Sequence, residues 1–346
     1  MRAAATPMAA VPSTTNPFEK MNFTQTVTRM ISPRLAASRP VWKSAARLGL
    51  AILFLSLPGR ALAVDEQTFV SAQSAVNALV EAAQNNDTNA LQAIFGPAGK
   101  ALISPDPVQA AEGLKLFVQR VTEKTQLINQ SESNATLALG TDAWPFPIPL
   151  IQQGGQWFFD STAGSQEILA RRVGMNELGA ISVCNAYVEA QREYAAEDRL
   201  GDGVLAYAQY LHSTPGTHDG LFWPAQPGEA LSPLGPLVAQ ARVEGYHRTA
   251  TMLNDEKAPY HGYYFKILTR QGKHAPGGKY SYLINGRMIG GFALVAWPAE
   301  WGNTGVMTFI VNQQGKIFQK NLGTKTTKVA NDLMTYDPDD TWSPVR

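Results

Sequence analysis

The sequence predicts an α+β protein built of two units, and three features of its patterning predict it. After an apolar leader, apolar residues recur at spacings of three and four, then switch to a period of two up to Asp160. A second long helical pattern follows. The rest of the chain carries short alternating runs separated by Gly-containing turns. The first unit therefore reads as helices followed by a curled antiparallel sheet, and the second as a long helix packed on an antiparallel meander.

Residues 1–63 read as a cleaved secretory signal with a long basic flank, which places the mature protein in the periplasm or otherwise outside the cytosol. The run from Leu48 to Pro58 is uncharged and mostly apolar, Lys43 and Arg47 precede it, and Ala61-Leu62-Ala63 supplies the small residues of a cleavage site. A run this short falls well below the ~20 residues that span a bilayer. Met21 and Met30 are alternative starts.

Asp65 to Gln84 predicts a helix with Phe69, Ala72, Val76, Leu79, Val80 and Ala83 on one stripe. Asp87 is placed to cap a second helix carrying Leu91, Ile94 and Phe95, which Gly96-Pro97 ends. A third helix is expected from about Pro107 to Lys124, burying Leu114, Phe117, Val118 and Val121. Ala135 to Leu139 reads as a strand. Trp144, Phe146, Ile148 and Leu150 alternate with three prolines, which fits only an edge strand or a polyproline-like stretch. Gly154-Gly155 turns the chain into a return strand ending at Asp160. These elements form an expected first domain over 64–172.

The second domain is expected over 173–346. Asn176 is read as the cap of a helix reaching about Asp198, with Cys184 on its inward face. Residues 212–236 read as a long irregular loop. Strands are expected at Gly262–Thr269, Lys279–Ile284, Phe292–Trp297, Val306–Asn312 and Lys316–Lys320, with Asn285-Gly286 as a two-residue hairpin turn.

Composition narrows the function. The chain has 346 residues, 45% hydrophobic and 16% charged, with one cysteine. A single cysteine excludes an internal disulfide framework and a thiolate-rich metal site. Residues 1–63 hold eight of the 29 basic side chains and one of the 28 acids, which leaves 21 basic and 27 acidic residues in the mature chain. A mildly acidic body is a poor phosphate-binding surface, so no nucleic-acid partner is expected.

No phosphate-loop, nucleophile-elbow or paired-histidine motif occurs. Cys184 sits between Ile181 and Tyr187 on the apolar stripe and reads as a small buried hydrophobe. The five histidines, His212, His218, His247, His261 and His274, have no metal-ligand spacing, and no metal or cofactor is expected. Phe117, Trp144 and Trp157 are candidate ligand contacts on the concave apolar face of the first unit. Trp223, Asp219 and His261 are candidate ligand contacts in the second, drawn from its dense set of aromatic residues.

Long stretches carry a family resemblance. Gly155–Gly164, Arg171–Leu178, Ser232–Val238, Pro259–Phe265 and Gly290–Ala299 resemble a bacterial exported domain-of-unknown-function family numbered 2950. That resemblance implies an envelope location and supplies no catalytic residues. The first unit also resembles the cone of nuclear-transport-factor-2-like proteins, which implies a small-molecule pocket. Gly262–Lys266 and Ala296–Phe318 resemble the head of type IV pilin-like proteins, with one departure: pilins join an apolar spine to the long helix, and here a whole domain precedes it. The resulting expectation is a non-catalytic envelope protein that binds a partner, another envelope protein for example, or supports assembly. The alternatives are a small-ligand module using the cone and a hydrolase using His212, His218 and His261.

Overall fold

Ser71 opens the first helix, α1 (Ala72–Gln84), by a reciprocal cap: its hydroxyl accepts from the Ser74 N–H, and the Ser74 hydroxyl accepts from the Ser71 N–H. The computed structural model describes residues 66–225, 228–246 and 259–345, all within one compact unit; the expected signal over 1–63 lies outside the described residues. The helix starts later than its periodicity indicates because Phe69 is spent elsewhere. Its N–H and C=O both bond Trp157, at 2.7 and 2.8 Å, extending the sheet edge. Asp87 caps α2 (Thr88–Phe95) as expected, accepting from the N–H groups of Asn89 and Ala90. A 3-10 turn (Pro97–Leu102) leads to α3 (Pro107–Glu123), capped by Asp106 with Pro107 in its first turn. Leu114 departs from its expected burial and is exposed, whereas Val121 is buried.

The first sheet is antiparallel, with β1 (Thr125–Ser131), β2 (Asn134–Leu139), β4 (Leu150–Gln153) and β5 (Gln156–Phe159) in that order. A two-residue β3 (Trp144–Pro145) hangs from β2. Pro145, Pro147 and Pro149 limit the proline-rich segment to that short pairing, because proline brings no N–H to a ladder. The helices cover one face of the sheet, and their shared core includes Val76, Leu79, Ile94, Leu137, Phe146 and Phe159.

Asp160 ends the sheet by capping α4 (Ser161–Tyr194), a helix of 34 residues and roughly 51 Å. Asn176 is therefore no cap. It lies in the middle of this helix, almost fully buried, and the expected domain boundary at 172/173 falls inside the same helix. The helical pattern before Asn176 is obscured by Gly164 and Gly174, and Gly164 is required by packing: a Cβ there would lie 2.6 Å from Ile148.

The chain beyond α4 forms a short parallel pair, β6 (Tyr210–His212) and β7 (Gly220–Phe222), then α5 (Gly235–Val243). The second large sheet is an antiparallel meander: β8 (Tyr263–Leu268), β13 (Ala293–Pro298), β14 (Met307–Asn312), β15 (Phe318–Asn321) and β17 (Ser343–Pro344) are neighbours in that order. Small pairings decorate it, involving β9 (Arg270–Gln271), β10 (Tyr280–Ser281), β11 (Leu283–Ile284), β12 (Arg287–Met288) and β16 (Thr335–Tyr336). Asn285-Gly286 turns β11 into β12 with both residues at positive φ, as a tight hairpin requires. A last helix, α6 (Thr326–Asp332), was not legible in the sequence. The C-terminal half of α4 lies on this sheet through Cys184, Tyr187 and Val188, so one helix contributes to two cores. Among the described residues no helix is long and apolar enough to cross a membrane.

Candidate functional site

The six residues singled out from the sequence fall in three places. Phe117, Trp144 and Trp157 belong to the first core. Phe117 stacks on Phe146 at 5.5 Å, and Phe146 also meets Phe95, Phe159 and Trp144 at 6.2 to 6.5 Å, so these rings pack on one another between helices and sheet. Arg120 and Arg171 lie against the Trp144 ring at 4.9 and 5.3 Å, each also paired with a carboxylate, Asp142 and Glu167.

Trp223 and Asp219 belong to the segment around β7. Trp223 is buried, donates its indole N–H to the Ala230 carbonyl and packs on His218 at 4.4 Å. Asp219 holds the preceding turn by accepting from the N–H and hydroxyl of Thr214, both at 2.7 Å. Burial raises its carboxyl pKa, but these bonds outweigh burial and leave it below the usual range. His212 packs on Phe222 at 4.8 Å, and burial, followed by nearby Arg242, pulls its pKa down. His274 pairs with Asp337. Each of these histidines thus has its own neighbourhood, and His247 lies outside the described residues. Cys184 is fully buried, and burial pushes its thiol up to about 12.

Among the described histidines, His261 enters a constellation of ionisable groups that several elements build. Its Nε2 lies 2.9 Å from Glu244 Oε2, and Tyr260 and Gln240 donate to the same carboxylate at 3.3 and 2.9 Å. Tyr246 stacks edge-on with Tyr260 and His261 at 5.1 and 5.3 Å and donates its hydroxyl to Asp106 at 2.7 Å. Four elements converge. Asp106 is the cap of α3, Glu244 follows the last turn of α5, Tyr260 and His261 lead into β8, and Gly179 of α4 lies beneath the His261 Cβ.

The backbone is fixed at this point. His261 has φ 47° and Gly262 φ 71°, and a Cβ on Gly262 would meet Asn176 at 2.6 Å and Thr304 at 2.9 Å. Asn176 continues the network. It accepts from Gln109 of α3 at 2.7 Å and donates to the Thr304 carbonyl at 2.8 Å. One turn before it, Arg172 donates to the Leu102 carbonyl and to Asn303, and the adjacent Glu177 accepts from the N–H groups of Val306 and Met307 at the start of β14. Arg172 is buried, which lowers its pKa, and Glu300 partly offsets that.

Electrostatics agree with a holding role for these groups. Burial raises the Glu244 pKa, but the bond and charge of His261, with Gln240 and Tyr260, outweigh it and keep the carboxyl below its ordinary value. Burial pushes the phenols of Tyr246 and Tyr260 well above theirs, so both serve as protonated donors. Chemically, the His261–Glu244 pair is able to move a proton, and the rest of the arrangement holds elements together. No group of three or more His, Cys, Asp or Glu side chains is placed to hold a metal among the described residues. A shallow open groove elsewhere, lined by Asn89, Gln92, Gly96, Pro97 and Lys100, contains none of these residues.

Sequence reasoning identified His261 and missed Asp106, Asn176, Glu244 and Tyr246. Asp106-Pro107 was readable as a helix start, but nothing in the linear order pairs it with Tyr246, 140 residues away. No curated protein and no solved structure matches the chain, so the cone-like and pilin-head-like resemblances have no counterpart there. A family model does match residues 66–345, and the protein belongs to the family described as a protein of unknown function, DUF2950.

Proposed function

We propose that this chain is an exported envelope protein that works without catalysis, as a binding or assembly-support component held as one stiff body. The observation that carries the proposal is the use of this ionisable constellation. Tyr246 bonds Asp106, Tyr260 and His261 bond Glu244, and the Tyr246 ring packs on those of Tyr260 and His261, so the two bonded sets together join α3, α5 and the start of β8. Groups arranged in this way secure elements that are remote in sequence. The ring-on-ring packing of Phe117, Trp144 and Phe146 in the first half favours this reading over a small-ligand cone, and the separate partners of His212, His218 and His261, which are Phe222, Trp223 and Glu244, favour it over a hydrolase. Export rests on the basic flank, apolar run and Ala61-Leu62-Ala63 of the leader. The cone-like and head-like layouts belong to the same proposal: one half supplies a helix-covered curled sheet and the other a helix-backed meander.

The test combines N-terminal sequencing of the protein from an envelope fraction with unfolding of His261→Gln. The expected outcome is a mature chain beginning at Val64, and a variant that loses stability while its association with envelope components persists in proportion to folded protein. A chain recovered from the cytosol with its leader intact would contradict export. A His261→Gln variant of unchanged stability that abolishes a measurable turnover would contradict the holding role.

A further inference from the structure

Strand β1 ends the first sheet, and of the usual defences of an exposed edge it carries a β-bulge near its end but no charge or proline within the strand. Natural edges carry lysines, prolines, bulges or inward charges that prevent pairing with other chains. Thr125 to Ser131 contains no charge and no proline, and Ile128 is 46% exposed. The Gly140 N–H donates to the Lys124 carbonyl at 2.8 Å, and Lys124 continues the β1–β2 register in which Thr125 faces Leu139. In an antiparallel ladder bonding alternates along the strand. Lys124, Gln126 and Ile128 therefore bond towards β2, and Thr125, Leu127 and Asn129 turn their main-chain N–H and C=O groups away from the sheet.

We propose that β1 is a self-pairing edge, where a second copy of this chain adds its own β1 antiparallel across a two-fold axis at Ile128. The strand's chemistry is partly palindromic about that residue. Gln126 would face Gln130 of the second copy, and beyond the regular pairing Thr125 and Lys124 would lie towards Ser131 and Glu132, which brings amide to amide, hydroxyl to hydroxyl and cation to anion. Leu127 facing Asn129 is the one unlike pair. The bonding phase agrees independently. This register sets outward-turned Leu127 against outward-turned Asn129. It leaves Ile128 at a non-bonded position, where opposed Cα atoms approach to about 4.5 Å and apolar side chains cover each other. The β-bulge between Asn129 and Ser131 confines regular pairing to the centre of the strand, which gives about four main-chain bonds. A self-complementary patch of this kind closes as a two-fold dimer, and its small size makes the dimer concentration-dependent.

Single cysteines test the register in the purified chain, whose native Cys184 is buried. Ile128→Cys sets two thiols opposite each other, within disulfide reach. Gln126→Cys sets them four residues out of step, about 13 Å apart and beyond the ~7 Å Cα limit. Mild oxidation is expected to give a covalent dimer with Ile128→Cys at least about tenfold faster than with Gln126→Cys. Sedimentation should show dimerisation weakened about tenfold by Ile128→Lys, which sets two cations against each other on the two-fold axis. A chain that stays monomeric at about 100 μM, equal cross-linking of the two cysteine variants, or an Ile128→Lys variant that dimerises as well as the unaltered chain would overturn the proposal. Monomer behaviour with capture of a foreign strand would likewise assign the edge to a different partner and refute self-pairing.

Discussion

Replacing Asn176 by Ala probes the join between the two halves at its most buried point. The side chain is 1% exposed, accepts from Gln109 of α3 and donates to the Thr304 carbonyl before β14. Truncation leaves the Thr304 carbonyl buried without its donor, at a cost of about 1–3 kcal/mol. Gln109 is only partly buried and rehydrates, so its lost bond adds about 0.5–1 kcal/mol. Alanine returns roughly 0.5 kcal/mol of helix propensity. The net expectation is a loss of about 2 kcal/mol, which in urea unfolding with a slope of about 3 kcal/mol/M lowers the midpoint by about 0.7 M. A double-mutant cycle with Gln109→Ala should show a coupling of about 1 kcal/mol. Helical circular dichroism should be unchanged, because Asn176 lies inside α4 and starts nothing. A loss below about 0.5 kcal/mol, or a drop in helix content like that of a deleted cap, would refute the reasoning.

Two further outcomes follow from the same network and core. Glu244 has a folded pKa below its unfolded value, so its contribution is fully present above the ordinary carboxylate range and is lost as pH falls through the folded pKa. Stability measured from pH 7 down to pH 3 should therefore decline less steeply in Glu244→Gln, starting from a lower value at neutral pH; identical acid limbs would remove this carboxylate from the account. Cys184 should resist thiol reagents at pH 8 in the folded chain and react only on unfolding, since burial holds its pKa near 12; rapid native modification would place it in a reactive pocket.

The fold was legible wherever a local pattern decided it. Asp87 and Pro107 marked two helix starts, Asn285-Gly286 marked a hairpin, and Cys184 lay on the stripe that proved buried. The readings that changed were settled by distant partners. Phe69 left a helical pattern because Trp157 offered its backbone a sheet partner. Asn176 carries the chemistry of a cap, yet its bonds run to Gln109 and Thr304, 67 and 128 residues away. Strand β1 escaped notice because an edge strand with few buried positions has almost no apolar alternation. For the site, only His261 was readable. Its partners come from four elements, and their convergence is set by packing that no linear spacing encodes.

Differential scanning calorimetry of the purified chain, read beside Tyr246→Phe, tests most directly whether the Asp106–Tyr246 and His261–Glu244 contacts bind the two cores into one body. The account predicts a single transition whose calorimetric and van't Hoff enthalpies agree, and a Tyr246→Phe variant that melts about 3–6 °C lower. Two separate transitions in the unaltered protein, unmoved by the substitution, would contradict it.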